Sequence, residues 1–178
     1  MLTCAQALAE PKDRDARLFA TYQGMLDDDP YQPYALRRLL EVSHVAGGLA
    51  GLVTTYEARV KDTPKAVSQW VILGHLYGAS DRHREAARAY ERAAELAPRD
   101  GRPYRASARL HRKTERWSEA TAAYDAALSR APASERIALL QEAADSALEG
   151  KALERAQAYF EALFDAAPRK PFLRMEAA

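Results

Sequence analysis

The chain has 178 residues, 48% hydrophobic and 29% charged, proportions of an ordinary soluble domain that exclude wholesale disorder, a collagen-like repeat and a disulfide scaffold. With 26 Lys and Arg against 25 Asp and Glu, the formal charge of +1 supplies no global attraction to nucleic acid or a membrane surface. The lone Cys4 can form neither an internal disulfide nor a paired thiolate site, and no run approaches the roughly 18–20 apolar residues that span a bilayer. The N-terminus also lacks a basic then apolar leader, so the expected location is the cytoplasm, or the periplasm where a leader belongs to a larger context.

Two markers divide the chain. Prolines fall at Pro30, Pro64, Pro98, Pro132 and Pro168, spaced 34, 34, 34 and 36 apart, and eight residues before each stands an aromatic: Tyr22, Tyr56, Tyr90, Tyr124 and Phe160. Between the markers, apolar residues recur three and four apart in paired segments, the pattern of helices that bury one stripe. Proline closes each pair because it fixes φ and removes a backbone donor.

In chain order, the unit 1–30 keeps Tyr22 and Pro30, with Pro11 at the turn between its helices. The unit 33–64 keeps Leu36, Leu39, Tyr56 and Pro64 but carries Leu40, Ser43 and Leu52 where small, aromatic and small residues are expected. The unit 67–98 places Trp70, Leu73, Gly74 and Tyr77 on its first helix and Ala86, Tyr90 and Ala93 on its second. The unit 101–132 carries Tyr104, Ala108, Ala120, Tyr124 and Ala127 at the same places, with Ser107 and His111 as departures. The unit 137–168 keeps Leu140, Ala144, Ala156 and Phe160 after a two-residue insertion around Ala133 to Arg136, and Pro171 to Ala178 reads as the opening of a capping or further helix.

Trp70, Leu73, Gly74, Tyr77, Ala86, Tyr90, Ala93 and Pro98 together resemble the tetratricopeptide repeat at each of its eight signature positions. The resemblance implies an all-α, right-handed α-solenoid of about five helix-turn-helix pairs, a single domain over 1–178. The residue types fit that expectation physically: Gly74, Ala86 and Ala93 let helix backbones approach, while Trp70, Tyr77 and Tyr90 fill the space between pairs. No pair can bury its own apolar face, so neighbours must stack. Arg far outnumbers Lys and Ala is frequent, as in a GC-rich bacterial genome, so the resemblance is to a bacterial protein of this family or a fragment of one.

Other motifs carry little chemistry. Gly47, Gly48 and Gly51 follow no strand and precede no Gly-Lys-Ser/Thr, so they read as an inter-helix turn rather than a phosphate loop. His44, His75, His83 and His111 stand in no metal spacing, Asp27 to Asp29 reads as a solvated acidic loop, and no serine or threonine has an elbow motif. No catalytic residue, cofactor or metal site is expected.

Charge is distributed unevenly. The unit 99–132 holds eight basic and four acidic residues, whereas both terminal units are acidic, and Arg102, Arg105, Arg109 and Arg112 fall on one helical face. In tetratricopeptide-repeat proteins the corresponding positions line a concave groove. The same mapping brings in Tyr34, Arg37, Glu41 and His44, then Ser68, Val71, His75 and Gly78, then Ala138, Gln141 and Asp145. Four like charges three and four apart repel by a few tenths of a kcal/mol per pair, which favours a face kept for a partner over a merely solvated one. The family's carboxylate clamp for chaperone tails does not fit, because its asparagine positions hold Glu41 and Ile72 and the chain contains no asparagine.

The expectation is therefore a non-enzymatic scaffold or adaptor that binds an acidic peptide or helix of a partner through Arg37, His75, Arg102, Arg105, Arg109 and Arg112. The alternative is an assembly or regulatory module of a larger enzyme or envelope complex, acting through its convex face or ends, with homo-oligomers as one form. Nucleic acid is not expected, since single-strand binding adds aromatic platforms and the inferred groove offers only Tyr34. Neither is membrane insertion.

Overall fold

A computed structural model describes residues 11–166, which form nine α-helices and no strand. Helix α1 spans Pro11–Asp28, α2 Pro33–Glu41, α3 Gly48–Asp62, α4 Val67–Ala79, α5 His83–Leu96, α6 Arg102–Lys113, α7 Trp117–Leu128, α8 Ala133–Glu149 and α9 Leu153–Ala166, with a 3₁₀ turn at Ser43–Ala46. Tyr22 lies on α1, so α1 is the second helix of the first unit, and four further pairs follow it. The expectations for Cys4, Pro168 and the segment from Pro171 to Ala178 fall outside the described residues.

The three later pairs close alike. Asp81, Glu115 and Lys151 each take a left-handed conformation at φ 57°, and the next residue's N–H reaches back five residues, from Arg82 to Tyr77 at 2.9 Å, Arg116 to His111 at 2.8 Å and Ala152 to Ala147 at 2.8 Å. This satisfies a helix-end carbonyl and reverses the chain in a few residues. Each of α4/α5, α6/α7 and α8/α9 then packs as an antiparallel hairpin against its neighbour.

The second unit departs. Its first helix is only nine residues long and breaks at Val42 into the 3₁₀ turn; Gly47 and Gly48, at φ 79° and 74°, lead directly into α3. Positive φ at two successive positions is what glycine tolerates and other residues resist. Gly51 lies inside α3, where a Cβ would stand 1.8 Å from the Ala46 carbonyl oxygen. Helix α2 packs on α1 as each later first helix packs on the helix before it, but it pairs little with α3, which packs instead on the 3₁₀ turn and α4. The unexpected Leu40, Ser43 and Leu52 therefore mark a real irregularity. The insertion before the fifth unit is no linker either: α8 begins at Ala133 and lengthens to 17 residues.

Burial follows the signature. Tyr56, Ile72, Leu73, Leu76, Tyr124 and Leu163 are fully enclosed, and so are Ala86, Ala93, Ala108 and Ala120. The core forms two clusters, one from Tyr22 to Leu110 and one from Ala108 to Leu163, which meet on α6. That helix gives Ala106 and Leu110 to the first and Tyr104 and Ala108 to the second.

Candidate functional site: the face formed by the first helices

Helix α6 reads Arg102-Pro-Tyr-Arg-Ala-Ser-Ala-Arg-Leu-His-Arg-Lys, and with Ala108 and Leu110 buried, its arginines emerge on one side. Two surroundings meet them there.

Toward α8 the row is neutralised. Arg105 donates to Glu142 through Nη2 at 2.5 Å and Nε at 3.2 Å, and Arg109 donates to the same carboxylate through Nη2 at 2.6 Å and Nε at 2.9 Å. Seven residues on, Arg112 grips Glu149 at 2.5 and 2.7 Å. Seven residues are two helical turns, so the ladder joins α6 and α8 in register. Burial alone would raise the Glu142 carboxyl, but hydrogen bonds from Arg109 and Arg105 outweigh it and bring the pKa down to about 2. The hydrogen bond that Arg109 donates to Glu142 raises the arginine pKa above its ordinary value, and the bond from Arg112 to Glu149 does the same there.

Toward α2 and α4 the face is open. A cavity of about 710 Å³ lies between the chain at Asp29 to Leu36, the end of α4 and one side of α6. Its apolar surface comes from Leu36, Gly78, Ala79, Ala106 and Leu110, and its charged wall from Arg102, Arg105, Arg109 and Lys113, with the carboxylates Asp29 and Glu135 also in the lining. Arg109 and Lys113 are about half exposed, at 54% and 60%, against 23% for Arg105. Arg109 engages Glu142 through Nε and Nη2, so among the described residues its Nη1 keeps two N–H groups without an acceptor.

At one end Arg102 closes the cavity. Its guanidinium is fixed by the Asp100 carboxylate at 2.8 to 3.1 Å, stacks 4.7 Å from the Tyr31 ring centroid, and lies 3.9 Å from Asp29. Asp100 also accepts the Arg102 backbone N–H at 2.9 Å, satisfying the first of the unpaired donors at the start of α6. Beneath, His75 sits edge-on to both Tyr31 and Tyr90. The Tyr90 hydroxyl meets His75 Nδ1 at 2.7 Å, and burial, aided by the charge of Arg109 and opposed by the Pro30 carbonyl, drops the imidazole to about 4. His75 is a neutral support for the cavity floor at physiological pH.

The six residues singled out from sequence thus separate. Arg102, Arg105, Arg109 and His75 line the cavity, Arg112 stands in the ladder, and Arg37 lies exposed over the Tyr34 ring at 5.8 Å, outside the cavity lining. His44 pairs with Asp15 of α1 at 3.0 Å, and Val71 is wholly buried. Sequence reasoning passed over Tyr31, Leu36, Lys113 and Glu142. Lys113 was within reach, four residues beyond Arg109 on the same stripe. Glu142 was not, because the repeat spacing pointed to Gln141 and Asp145, and only the packed helices show that Glu142 and Glu149 reach the arginines of α6. Among the described residues, no group of three or more His, Cys, Asp or Glu could hold a metal ion, and no helix is long and apolar enough to cross a membrane.

The tetratricopeptide-repeat family model matches residues 70–100, the unit with the full signature. No curated protein sequence matches the chain. Among solved structures, a thermophilic tetratricopeptide-repeat protein of Thermus thermophilus is similar at 18% identity and a TM-score of 0.58, covering 92% of this chain and 89% of its own. MamA is similar at 20% identity and a TM-score of 0.61, covering 93% and 99%. A chain of the Cut9–Hcn1 hetero-tetramer of the APC/C is similar at 18% identity and a TM-score of 0.56, with 91% of this chain and 30% of that one covered. Residues 70–100 are a tetratricopeptide repeat by sequence, and the described chain as a whole has the tetratricopeptide-repeat fold.

Proposed function

We propose that the chain is a protein-interaction scaffold that takes an acidic segment of a partner protein in the cavity between α2, α4 and α6. The observation that carries this reading is the pairing of an apolar floor with a basic wall in which Arg109 keeps Nη1 unshared and the half-exposed Lys113 is held only at 3.4 Å by the Gly78 carbonyl and 3.7 Å from Asp81, while Asp100, Glu142 and Glu149 pair with the rest of the row. An apolar side chain of the partner would cover Leu36, Ala106 and Leu110, and a neighbouring carboxylate would accept from Arg109 Nη1 and Lys113 Nζ. Each such charge-assisted hydrogen bond is worth about 1.5–3 kcal/mol when well placed.

The test is titration of the full chain with acidic and charge-neutralised peptides, at low and high salt, beside an Arg109→Gln, Lys113→Gln variant. These substitutions leave Arg105 on Glu142, so the ladder survives. Binding confined to the acidic peptide, weakened by salt and at least about tenfold weaker in the variant, supports the reading. Equal binding of variant and wild type would refute it.

A second reading is favoured by Leu148 and Leu153, exposed at 45% and 68% beside the last hairpin turn. They would serve as an assembly surface, and light scattering of wild type against a Leu148→Gln, Leu153→Gln variant tests for self-association.

A further inference from the structure

On the opposite side of α6 from the groove, Ser107 and His111 border a second cavity of about 570 Å³, at the seam between the third and fourth units. The preceding seam shows what fills such a place. There the Tyr77 hydroxyl donates to Glu57 Oε1 at 2.8 Å, and the Arg82 guanidinium lies 4.3 Å over the Tyr77 ring. Arg82 also donates to Glu57 at 3.2 Å and to Glu85 at 3.1 Å, and Leu73 packs fully buried nearby. The last seam repeats the arrangement with other residues: the Tyr159 hydroxyl donates to Asp125 at 2.8 Å, and Arg155 pairs with Asp125 and stands 5.1 Å from the Tyr159 ring centroid.

Adding 34 to each number carries Glu57, Leu73, Tyr77, Arg82 and Glu85 onto Glu91, Ser107, His111, Arg116 and Glu119. In this seam the arrangement is incomplete. Arg116 holds Glu119 at 2.6 and 3.0 Å, Glu91 is exposed at the cavity rim with no hydrogen bond among the described residues, and His111 Nδ1 is buried without a partner. Imidazole is shorter than phenol and serine is smaller than leucine, so the two changes leave the space open.

Three things present in the preceding seam are absent here: the volume of a phenol ring, a hydroxyl donor to the carboxylate, and an aromatic face for the arginine. A tyrosine side chain supplies all three. A lysine or arginine would also meet Glu91, but it would supply neither the ring volume nor an aromatic face for Arg116, and a phenylalanine would leave Glu91 without its donor. We propose that this cavity is a binding site for a tyrosine side chain of a partner protein, its hydroxyl donating to Glu91 and its ring lying between His111 and Arg116. The site is independent of the acidic-segment groove.

The experiment is amide NMR of the full chain titrated with N-acetyl-tyrosinamide, with N-acetyl-phenylalaninamide as the control lacking the hydroxyl. The expected result is a saturable shift of the amides of Ala87 to Glu95 and Ser107 to His111, with the phenylalanine compound about fivefold weaker or more, the scale of one lost hydrogen bond. His111→Tyr, which restores the ring of the preceding seam, abolishes these shifts, and Glu91→Gln removes the preference for tyrosine. If His111→Tyr does not fold by circular dichroism, Ser107→Leu closes the same space from the other side. Equal shifts with both compounds, no shift with either, or shifts that persist in the filled variant overturn the proposal.

Discussion

Arg109 on α6 and Glu142 on α8 meet side-on, Nε to Oε2 at 2.9 Å and Nη2 to Oε1 at 2.6 Å, and Glu142 holds Arg105 in the same way. One carboxylate therefore satisfies two guanidinium forks from a neighbouring repeat, with little exposure of Arg105 or Glu142. Glu142→Ala leaves two arginines facing each other, one of them mostly covered, and is expected to cost about 1–3 kcal/mol in chemical denaturation. Arg112→Ala, at a more exposed pair, should cost under about 1 kcal/mol.

The same carboxylate gives the acid limb of stability. Its folded pKa of about 2 lies below its ordinary 4.5, so the folded state binds fewer protons and the stabilisation is fully present above pH 4.5. It is lost as the pH falls from 4.5 toward 2. Denaturation midpoints of wild type and Glu142→Gln should converge across that window, and a gap that stays constant would contradict the assignment.

His75 acts at higher pH. Held near 4 against an ordinary 6.5, it takes up its proton more readily when unfolded, so stability falls as pH drops from 6.5 to 4 and is unaffected above. Wild type should lose about 1–3 kcal/mol between pH 7 and 4 from this residue. His75→Leu, which loses the Tyr90 hydrogen bond at every pH, starts lower but shows a flatter profile over the same range.

Gly74 faces the ring it supports. A Cβ there would stand 2.5 Å from Tyr90 Cε1 and 2.7 Å from Cδ1, and Tyr90 is held in turn by His75. Gly74→Ala should destabilise by about 1–3 kcal/mol through overpacking, despite the better helix propensity of alanine. Chemical shifts of the His75 ring report the displaced Tyr90.

Glu115 carries the opposite prediction. Its left-handed φ of 57° costs a side-chain-bearing residue about 1–2 kcal/mol, partly offset on substitution by the greater unfolded freedom of glycine. Glu115→Gly should raise stability by up to about 1 kcal/mol, measured by urea denaturation.

The helical solenoid was legible from sequence because stacking is local. Proline and aromatic markers with a 34-residue period report contacts within one repeat or between neighbours, and Gly74, Ala86 and Tyr90 declare their packing by size alone. The basic face was legible too, since Arg102, Arg105, Arg109 and Arg112 share a stripe whatever surrounds the helix. What the stripe meets depended on the phase of another helix. Glu142 and Glu149 stand one position beyond the places to which the repeat mapping pointed on α8 and reach the arginines from there, and of the residues of α2 it is Leu36, with Tyr31 before it, that borders the cavity rather than Arg37. The substitutions at Ser107 and His111 stood in the sequence as departures. Only the packed seam converted them into an open volume beside an unanswered carboxylate, because volume and hydrogen-bond partnership are properties of the assembled neighbours rather than of the residue.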